Sequence, residues 1–251
     1  MIYDLSHTAA IVLAAGKGTR MKAKHKNKVA FKLNGQPMVA HTVDHLREAR
    51  VGQIVAVIGF QGESVRAALD GGVAYVEQSE QLGTGHAIRV ALPSLQKGVD
   101  TILSVYGDDS AFYPPALYQE VVEKQQSSGA DLLFLTVKKD DPTGLGRIVR
   151  DSAGKVLRIV EEKNANDEEK KIQEINTGFY CFKRSFLEKY IVEIQKNPIS
   201  GEYYLTDMVE IALRAGCKVE ALCLPDSSVW HGVNNRSDFA KAQKKAHEHQ
   251  E

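Results

Sequence analysis

The sequence predicts an α/β fold with a mainly parallel sheet flanked by helices. Two observations carry that prediction. Continuous apolar runs of strand length recur along the first half, and segments with apolar residues at helical spacing separate them. Runs that are apolar throughout, rather than alternating, mark strands buried on both faces, as parallel sheets require. Strands alternating with helices imply right-handed βαβ crossovers, and in such sheets ligands gather at the carboxyl ends of the strands.

"TAAIVLAAG" (8–16) is an apolar run closed by glycine and reads as the first strand. "PMVAHTVDHLREA" (37–49) puts Pro37 at a first helical position and Val39, Val43 and Leu46 on one face. "QIVAVIGF" (53–60) is strand-like, "QGESVRAAL" (61–69) reads as a short helix, and "GTGHAIRVAL" (83–92) sets Ile88, Ala91 and Leu92 at helical spacing. "DTILSVYGDD" (100–109) is a buried-strand pattern ending in two carboxylates, and "PPALYQEVVEKQQSSG" (114–129) with "ADLLFLTV" (130–137) repeats the helix–strand pair. Gly16 to Arg20, Gly83 to Thr84 and Gly107 to Asp109 therefore fall at strand ends or helix starts, which the fold brings to one rim.

The second half is less regular. "GRIVRDSAGKVLRIVEEK" (146–163) reads as a hairpin around Ser152–Gly154, and the polar "NANDEEKKIQ" (164–173) as a mobile loop. "EINTGFYCF" (174–182) is a strand, "LTDMVEIALRAG" (205–216) a helix stopped by Gly216, and "RSDFAKAQKKAHEH" (236–249) a last helix. No repeat, low-complexity tract or clear linker interrupts the chain, so residues 1–251 read as one domain.

A length of 251 residues at 43% hydrophobic content suffices for a sizeable core. Lys and Arg total 32 and so do Asp and Glu, which argues against a general nucleic-acid or membrane-surface binder. No stretch reaches the ~18 consecutive apolar residues of a membrane span. "MIYDLSHTAA" lacks the basic-then-apolar order of a secretory signal. Cys181, Cys217 and Cys223 are too scattered for a disulfide framework or a four-cysteine zinc site and read as packing residues. A cytoplasmic protein with reduced thiols is the expectation.

Against that neutral background, "LAAGKGTRMKAKHKNKVAF" (13–31) stands out: Lys17, Arg20, Lys22, Lys24, Lys26, Lys28 and then Lys32 occur with no acidic residue among them. A dinucleotide fingerprint wants a third glycine near position 21, where Met21 stands, and a Walker loop wants glycine followed by Lys and Ser/Thr, which does not occur. What remains is G-x-G-T-R with lysines downstream. Backbone N–H groups exposed by small residues cradle phosphates, and the cations neutralise several negative charges at once. The competing reading is a solvated basic loop, with the place after a buried strand and paired glycines weighing against it.

"LAAGKGTRM" (13–21), with Lys28 seven residues on, resembles the signature of the sugar-1-phosphate nucleotidyltransferases. "EQLGTGHA" (80–87), "YGD" (106–108), "GLGRIVR" (144–150), "IVEEK" (159–163), "EINTG" (174–178), "GEYYLTD" (201–207) and "GVNNR" (232–236) extend the resemblance in order over nearly the whole chain. The set looks like the uridylyltransferase (pyrophosphorylase) domains of bacterial bifunctional enzymes acting on N-acetylglucosamine 1-phosphate. The resemblance implies a Rossmann-like, GT-A-like nucleotidyltransferase fold with an inserted sugar-binding β-hairpin region. The nucleotide-binding half would span about 1–140, the sugar-binding half about 141–235 and a C-terminal helix about 236–249. The bifunctional relatives continue into a left-handed β-helix acetyltransferase; this chain ends after one more helix, so the expectation is that the second activity is missing.

The same resemblance implies roles. Leu13, Ala14, Ala15, Gly16, Lys17 and Gly18 would line the nucleotide, with Tyr106 and Gly107 beside it. Arg20 and Lys28 would be the catalytic cations on the triphosphate and the attacking sugar phosphate. Gln78, Gln81, Gly83 and Thr84 would read uracil. Asp108 would hold Mg²⁺ with Asn234, in preference to Asn235. Gly146, Glu161, Asn176 and Thr206 would grip the sugar. The implied partners are UTP and a sugar 1-phosphate, with no nucleic acid and no membrane, in a monomer or weak homo-oligomer. A sugar phosphate oxygen is already ionised at neutral pH, so attack on the α-phosphorus needs no general base. It needs two polyanions held in line and their repulsion neutralised, which cations and Mg²⁺ supply.

Each residue also has a plainer reading. Asp108 could cap the turn after its strand, Asn235 and Ser237 could cap the last helix, and Gly146 could be a turn glycine. Glu161 could be a solvated hairpin charge, and Gln78 and Gln81 surface amides. His86 reads as a helix-start or packing residue. Three departures from the family pattern stand beside the match. Asn27 replaces a proline, which suggests a less stiff loop. Asp109, Ser110, Ala111 and Phe112 replace small apolar residues and proline, and His231 replaces an acid. They leave two alternatives open: the same chemistry on glucose 1-phosphate or another sugar 1-phosphate, and a non-catalytic nucleotide-sugar binding module.

Overall fold

The structure is a computed structural model describing residues 4–21, 25–233 and 235–248. β1 (Thr8–Ala14) is buried at every position. Ala10, Val12 and Ala14 face one apolar layer, while Ala9, Ile11 and Leu13 face the other, the period-two alternation of a strand covered on both sides. A two-residue ladder, β2 (Lys32–Leu33) with β3 (Gln36–Pro37), leads into α1 (Met38–Glu48), so Pro37 immediately precedes the helix rather than opening it. β4 (Gln53–Ile58), α2 (Gly62–Arg66), β5 (Ala74–Glu77), α3 (Thr84–Ala91), β6 (Thr101–Tyr106), α4 (Pro115–Ser128) and β7 (Leu132–Lys138) follow. The second half supplies β8 (Arg147–Arg150), β9 (Val156–Val160), α5 (Asp167–Lys170), β10 (Glu174–Lys183), α6 (Arg184–Tyr190), α7 (Asp207–Arg214), β11 (Val219–Cys223) and α8 (Arg236–Glu248).

The main sheet runs β11-β7-β10-β6-β1-β4-β5. β1 pairs in parallel with β4 and β6, β4 with β5, and β11 with β7. β10 inserts antiparallel between β6 and β7, and the β8–β9 hairpin attaches to its start through Ile175 and Arg147. Helices cover both faces: Val39, Val43 and Leu46 of α1 and Val121 and Val122 of α4 pack in one layer, and Ile88, Leu187, Met208 and Val209 of α3, α6 and α7 in the other. Each such fully buried side chain contributes roughly 1.5–3 kcal/mol. A third cluster, with Met21, Leu33, Met38, Ala111, Val233 and Ala242, fastens α8 beside the basic loop. Among the described residues no helix is long and apolar enough to cross a membrane.

The structure corrects the sequence reading at several places. The polar segment 164–173 contains α5, started by a capping box in which Asn166 and Glu169 exchange side-chain to backbone bonds, and Glu169 also pairs with Arg158. The segment is thus a capped turn of helix, not an unsupported loop. β5, α6 and β11 were not predicted; β5 and β11 are short and only half buried, so neither shows a continuous apolar run. Cys223 is exposed and is not a packing residue, whereas Cys181 is buried and burial pushes its thiol up.

β10 changes register between Asn176 and Tyr180, and Gly178 sits there at φ +82°. A Cβ at Gly178 would collide with the Tyr106 ring. Gly178→Ala combines that clash with left-handed backbone strain, and it is expected to destabilise the chain by about 3 kcal/mol in denaturant titration. An unchanged midpoint would mean that Tyr106 moves aside at no cost.

Candidate active site

A cavity of about 560 Å³ opens where β1, β5 and β6 end. Its first wall is the chain leaving β1. Leu13, Ala14, Ala15, Gly16, Lys17 and Gly18 all line it. The predicted strand 8–16 stops at Ala14, which frees the next residues to form the loop. Gly18 turns at φ +56° into the turn Thr19–Met21, whose Thr19 reaches the cavity. The Arg20 side chain, Lys22, Lys24 and Asn234 lie outside the described residues.

The second wall comes from Gln78, Gln81, Gly83, Thr84 and Ala87. Gly83 adopts φ +98°, and a Cβ there would stand 2.6 Å from the Tyr203 carbonyl oxygen. Tyr203 N–H donates to Leu82 O at 2.8 Å, Gly85 N–H to Tyr203 O at 2.8 Å, and Leu205 N–H to Thr84 Oγ1 at 3.0 Å. Gln78 is 4% exposed, and its Nε2 lies 3.0 Å from Gly83 O and 3.1 Å from His86 Nδ1. Gln81 Nε2 donates to Gln78 O at 2.9 Å. The two amides thus shape this loop with their N–H groups, which removes the surface-amide reading. His86 packs inside α3 as a partner of Gln78.

At the floor, Asp108 and Lys28 form an ion pair, and Lys28 Nζ also donates to Val233 O at 2.9 Å. The Asp108 carboxylate thus holds a cation beside the cavity. Gly107 N–H donates to Leu13 O at 3.1 Å, holding the end of β6 against β1, but Gly107 lies behind the lining. Tyr106 lines the cavity, and burial, then the charges of Glu161, Asp109 and Asp108, hold its hydroxyl far above the usual range. Residues 107–109 form a turn rather than an extended run, so strand alternation does not separate the two carboxylates. Both are buried, but Asp108 lines the cavity and Asp109 does not, its charge acting on Tyr113 and Tyr118 as well as on Tyr106. Asn235 Oδ1 accepts from Asp238 N–H at 3.0 Å, so Asn235 serves as the cap of α8.

The far end is acidic. Glu161 lines the cavity just past β9, and Thr206 Oγ1 donates to its Oε1 at 3.3 Å. Burial raises the Glu161 pKa, the Thr206 bond opposes this, and Asp207 and Glu202 add to the rise. Asp207 is itself pushed up to about 6 by burial and Glu210. A Cβ on Gly146 would lie 3.2 Å from Ile159 Cγ2, with Glu161 Oε1 and Asn176 Cβ in ordinary contact, so Gly146 is closely packed and not a free turn. Asn176 N–H donates to Gly146 O at 2.8 Å, and its Nδ2 to the Tyr180 hydroxyl at 2.7 Å. Gly146, Asn176 and Thr206 support the lining from behind, and Glu161 alone of the four reaches it.

Glu202 and Tyr204 also line the cavity and were missed. They alternate with Thr206 in "GEYYLTD", and a period-two reading of that stretch would have found them. Asn27, missed as well, offers no such signal.

A glycine- and lysine-rich loop at the strand ends of a mainly parallel sheet, beside a carboxylate and an amide-lined wall, is an arrangement suited to a phosphate-bearing ligand. The chain belongs to the nucleotidyl transferase family, whose model matches residues 9–249. It is 44% identical to the bifunctional protein GlmU of Heliobacterium modesticaldum over 93% of this chain and 51% of the relative. It is 39% identical to that of Oceanobacillus iheyensis over 96% and 52%, and 41% identical to that of Geobacillus thermodenitrificans over 94% and 51%. The chain spans about half the length of these curated relatives. A crystal structure titled "Putative Glucose-1-Phosphate Thymidylyltransferase" from Bacillus anthracis superposes with a TM-score of 0.77 over 95% of both chains at 20% identity, a likeness of fold.

Proposed function

We propose that the chain transfers UMP from UTP to an N-acetylhexosamine 1-phosphate, first N-acetylglucosamine 1-phosphate, releasing pyrophosphate. The observation that carries this reading is the polarity of one cavity. Small residues with Lys17 and Lys28 reach it from the segment after β1, and Glu161, Glu202 and Tyr204 from the second half of the chain. The first suits a triphosphate and the second the hydroxyls and amide of a sugar. The motif resemblance, not the cavity, supplies uracil and N-acetylglucosamine. Mg²⁺ fits the donor set: it keeps waters and substrate phosphates and takes one or two protein carboxylates, which Asp108 provides and Asn234 would supplement. When bound it would neutralise phosphate charge as the pyrophosphate leaves. Lys28 holds its place through Asp108 and Val233 O, Gln78 and Gln81 shape the base wall, and Glu161 accepts from a sugar hydroxyl. The proposed setting is the cytoplasm.

Pyrophosphate release from each nucleoside triphosphate against a panel of sugar 1-phosphates tests the reading. UTP should outcompete ATP, GTP and CTP, since a wrong base leaves buried polar groups unpaired at ~1–3 kcal/mol each. Equal turnover of all four would end the uridylyl assignment. Preference for glucose 1-phosphate would keep the chemistry and change the sugar. Binding of UTP without turnover on any sugar would make the chain a nucleotide-sugar binding module.

A further inference from the structure

The basic loop leaves the sheet at Ala14 and returns at Asn27, and Asn27 holds both ends together. Its side-chain Nδ2 lies 3.0 Å from Ala14 O, 3.3 Å from Gly16 O and 2.7 Å from Phe60 O. Its Oδ1 accepts from Val29 N–H at 3.1 Å, and its own N–H donates to Ser64 Oγ at 2.8 Å. Asn27 is 1% exposed yet stands at the cavity wall. An amide has two N–H groups, so three carbonyls at these distances share them, and the side chain is satisfied only in this orientation. The two ends of the loop are therefore tied together by hydrogen bonds at the position where the family pattern has a proline.

We propose that Asn27 is a positioning residue that clasps the two ends of the basic loop and so sets where the triphosphate is held. The carbonyls it gathers belong to the ends of β1 and β4, and the residue it caps is followed at once by Lys28 in the turn Lys28–Ala30. One side chain thus fixes the outgoing backbone of Gly16, the incoming backbone at Lys28, and the distance between them. The inference rests on the proposed nucleotide reading of the cavity.

Two substitutions separate the clasp from simple packing. Asn27→Ser keeps an oxygen able to cap Val29 and loses the two amide N–H groups that the three carbonyls share, with one shorter-reaching hydroxyl proton in their place. Asn27→Asp keeps the shape and turns a carboxylate toward three carbonyl oxygens. In steady-state assays with UTP, Mg²⁺ and N-acetylglucosamine 1-phosphate, Asn27→Ser should raise the KM for UTP about 10-fold, with the sugar phosphate KM within about 2-fold, because only the triphosphate cradle shifts. Asn27→Asp should be worse than Asn27→Ser despite being closer in shape. A fall in kcat with neither KM moved would mean lost folded enzyme alone and would overturn the proposal, as would Asn27→Asp matching the unmodified chain. If Asn27→Asp does not fold, Asn27→Ser decides. Should the unmodified chain turn over no sugar 1-phosphate, the functional reading fails separately, and amide exchange decides the clasp. The Met21 and Phe60 amides, bonded to Gly18 O at 2.9 Å and Ala15 O at 3.1 Å, should exchange faster in Asn27→Ser. Equal exchange would overturn it.

Discussion

Lys28→Ala is expected to lower turnover by about 100-fold or more, the scale of losing one electrostatic stabiliser aimed at developing charge. The proposed reaction redistributes charge over phosphates as the α-phosphorus is attacked, and a cation that binds more strongly then appears in kcat rather than in affinity. The structure adds a reason for the lysine's effectiveness: Nζ is already held by Asp108 and by Val233 O at 2.9 Å, so little reorganisation is left for the reaction. Arg20→Ala should behave alike, and Arg20→Lys should rescue poorly if the guanidinium grips phosphate bidentately. Lys22→Ala, Lys24→Ala and Lys26→Ala serve as controls with little change. Steady-state kinetics over a UTP series is the measurement. Weakened UTP binding at full turnover would make Lys28 a ground-state anchor instead.

Asp108→Asn should cut turnover by about 100-fold or more while the chain stays folded, because the site then keeps no anionic oxygen on the floor for a divalent cation. Its neutral amide also releases Lys28 from an ion pair in which both side chains are mostly buried, at 17% and 10% exposure. Asp109→Asn is expected to stay within about 5-fold, roughly 1 kcal/mol of barrier, since Asp109 is not among the residues lining the cavity and its charge acts on Tyr113 and Tyr118 as well as on Tyr106. Assays over a Mg²⁺ series, with circular dichroism for the fold, check both. If Asp109→Asn proves the worse lesion, the metal-holding carboxylate is the neighbour.

Much of the architecture was legible because burial on both faces leaves a direct trace in composition. β1, β4, β6 and β7 are continuous apolar runs, and α1 and α3 carry their apolar residues at helical spacing. β5 and β11, with half-buried patterns, left no such trace. The site was legible where chemistry demands a residue type: small residues and cations in 13–28, a carboxylate after β6, an amide-bearing turn near 78–84. It was not legible where the role is to hold another residue. Asn27 reads as an ordinary loop polar residue until the carbonyls of Ala14, Gly16 and Phe60 surround it.

By itself the sequence determined the alternation of strands and helices and the rim on which the glycine- and lysine-bearing loop lies, because periodicity and backbone freedom are local properties, and its ordered motifs carried the resemblance to the family. Only the tertiary structure decided that β10 enters antiparallel between β6 and β7, that Asp108 rather than Asp109 faces the cavity, and that Val233 O, more than two hundred positions away in the chain, holds Lys28. Those outcomes depend on which distant surfaces bury one another and on which buried polar groups find partners. Spacing along the chain carries no record of either.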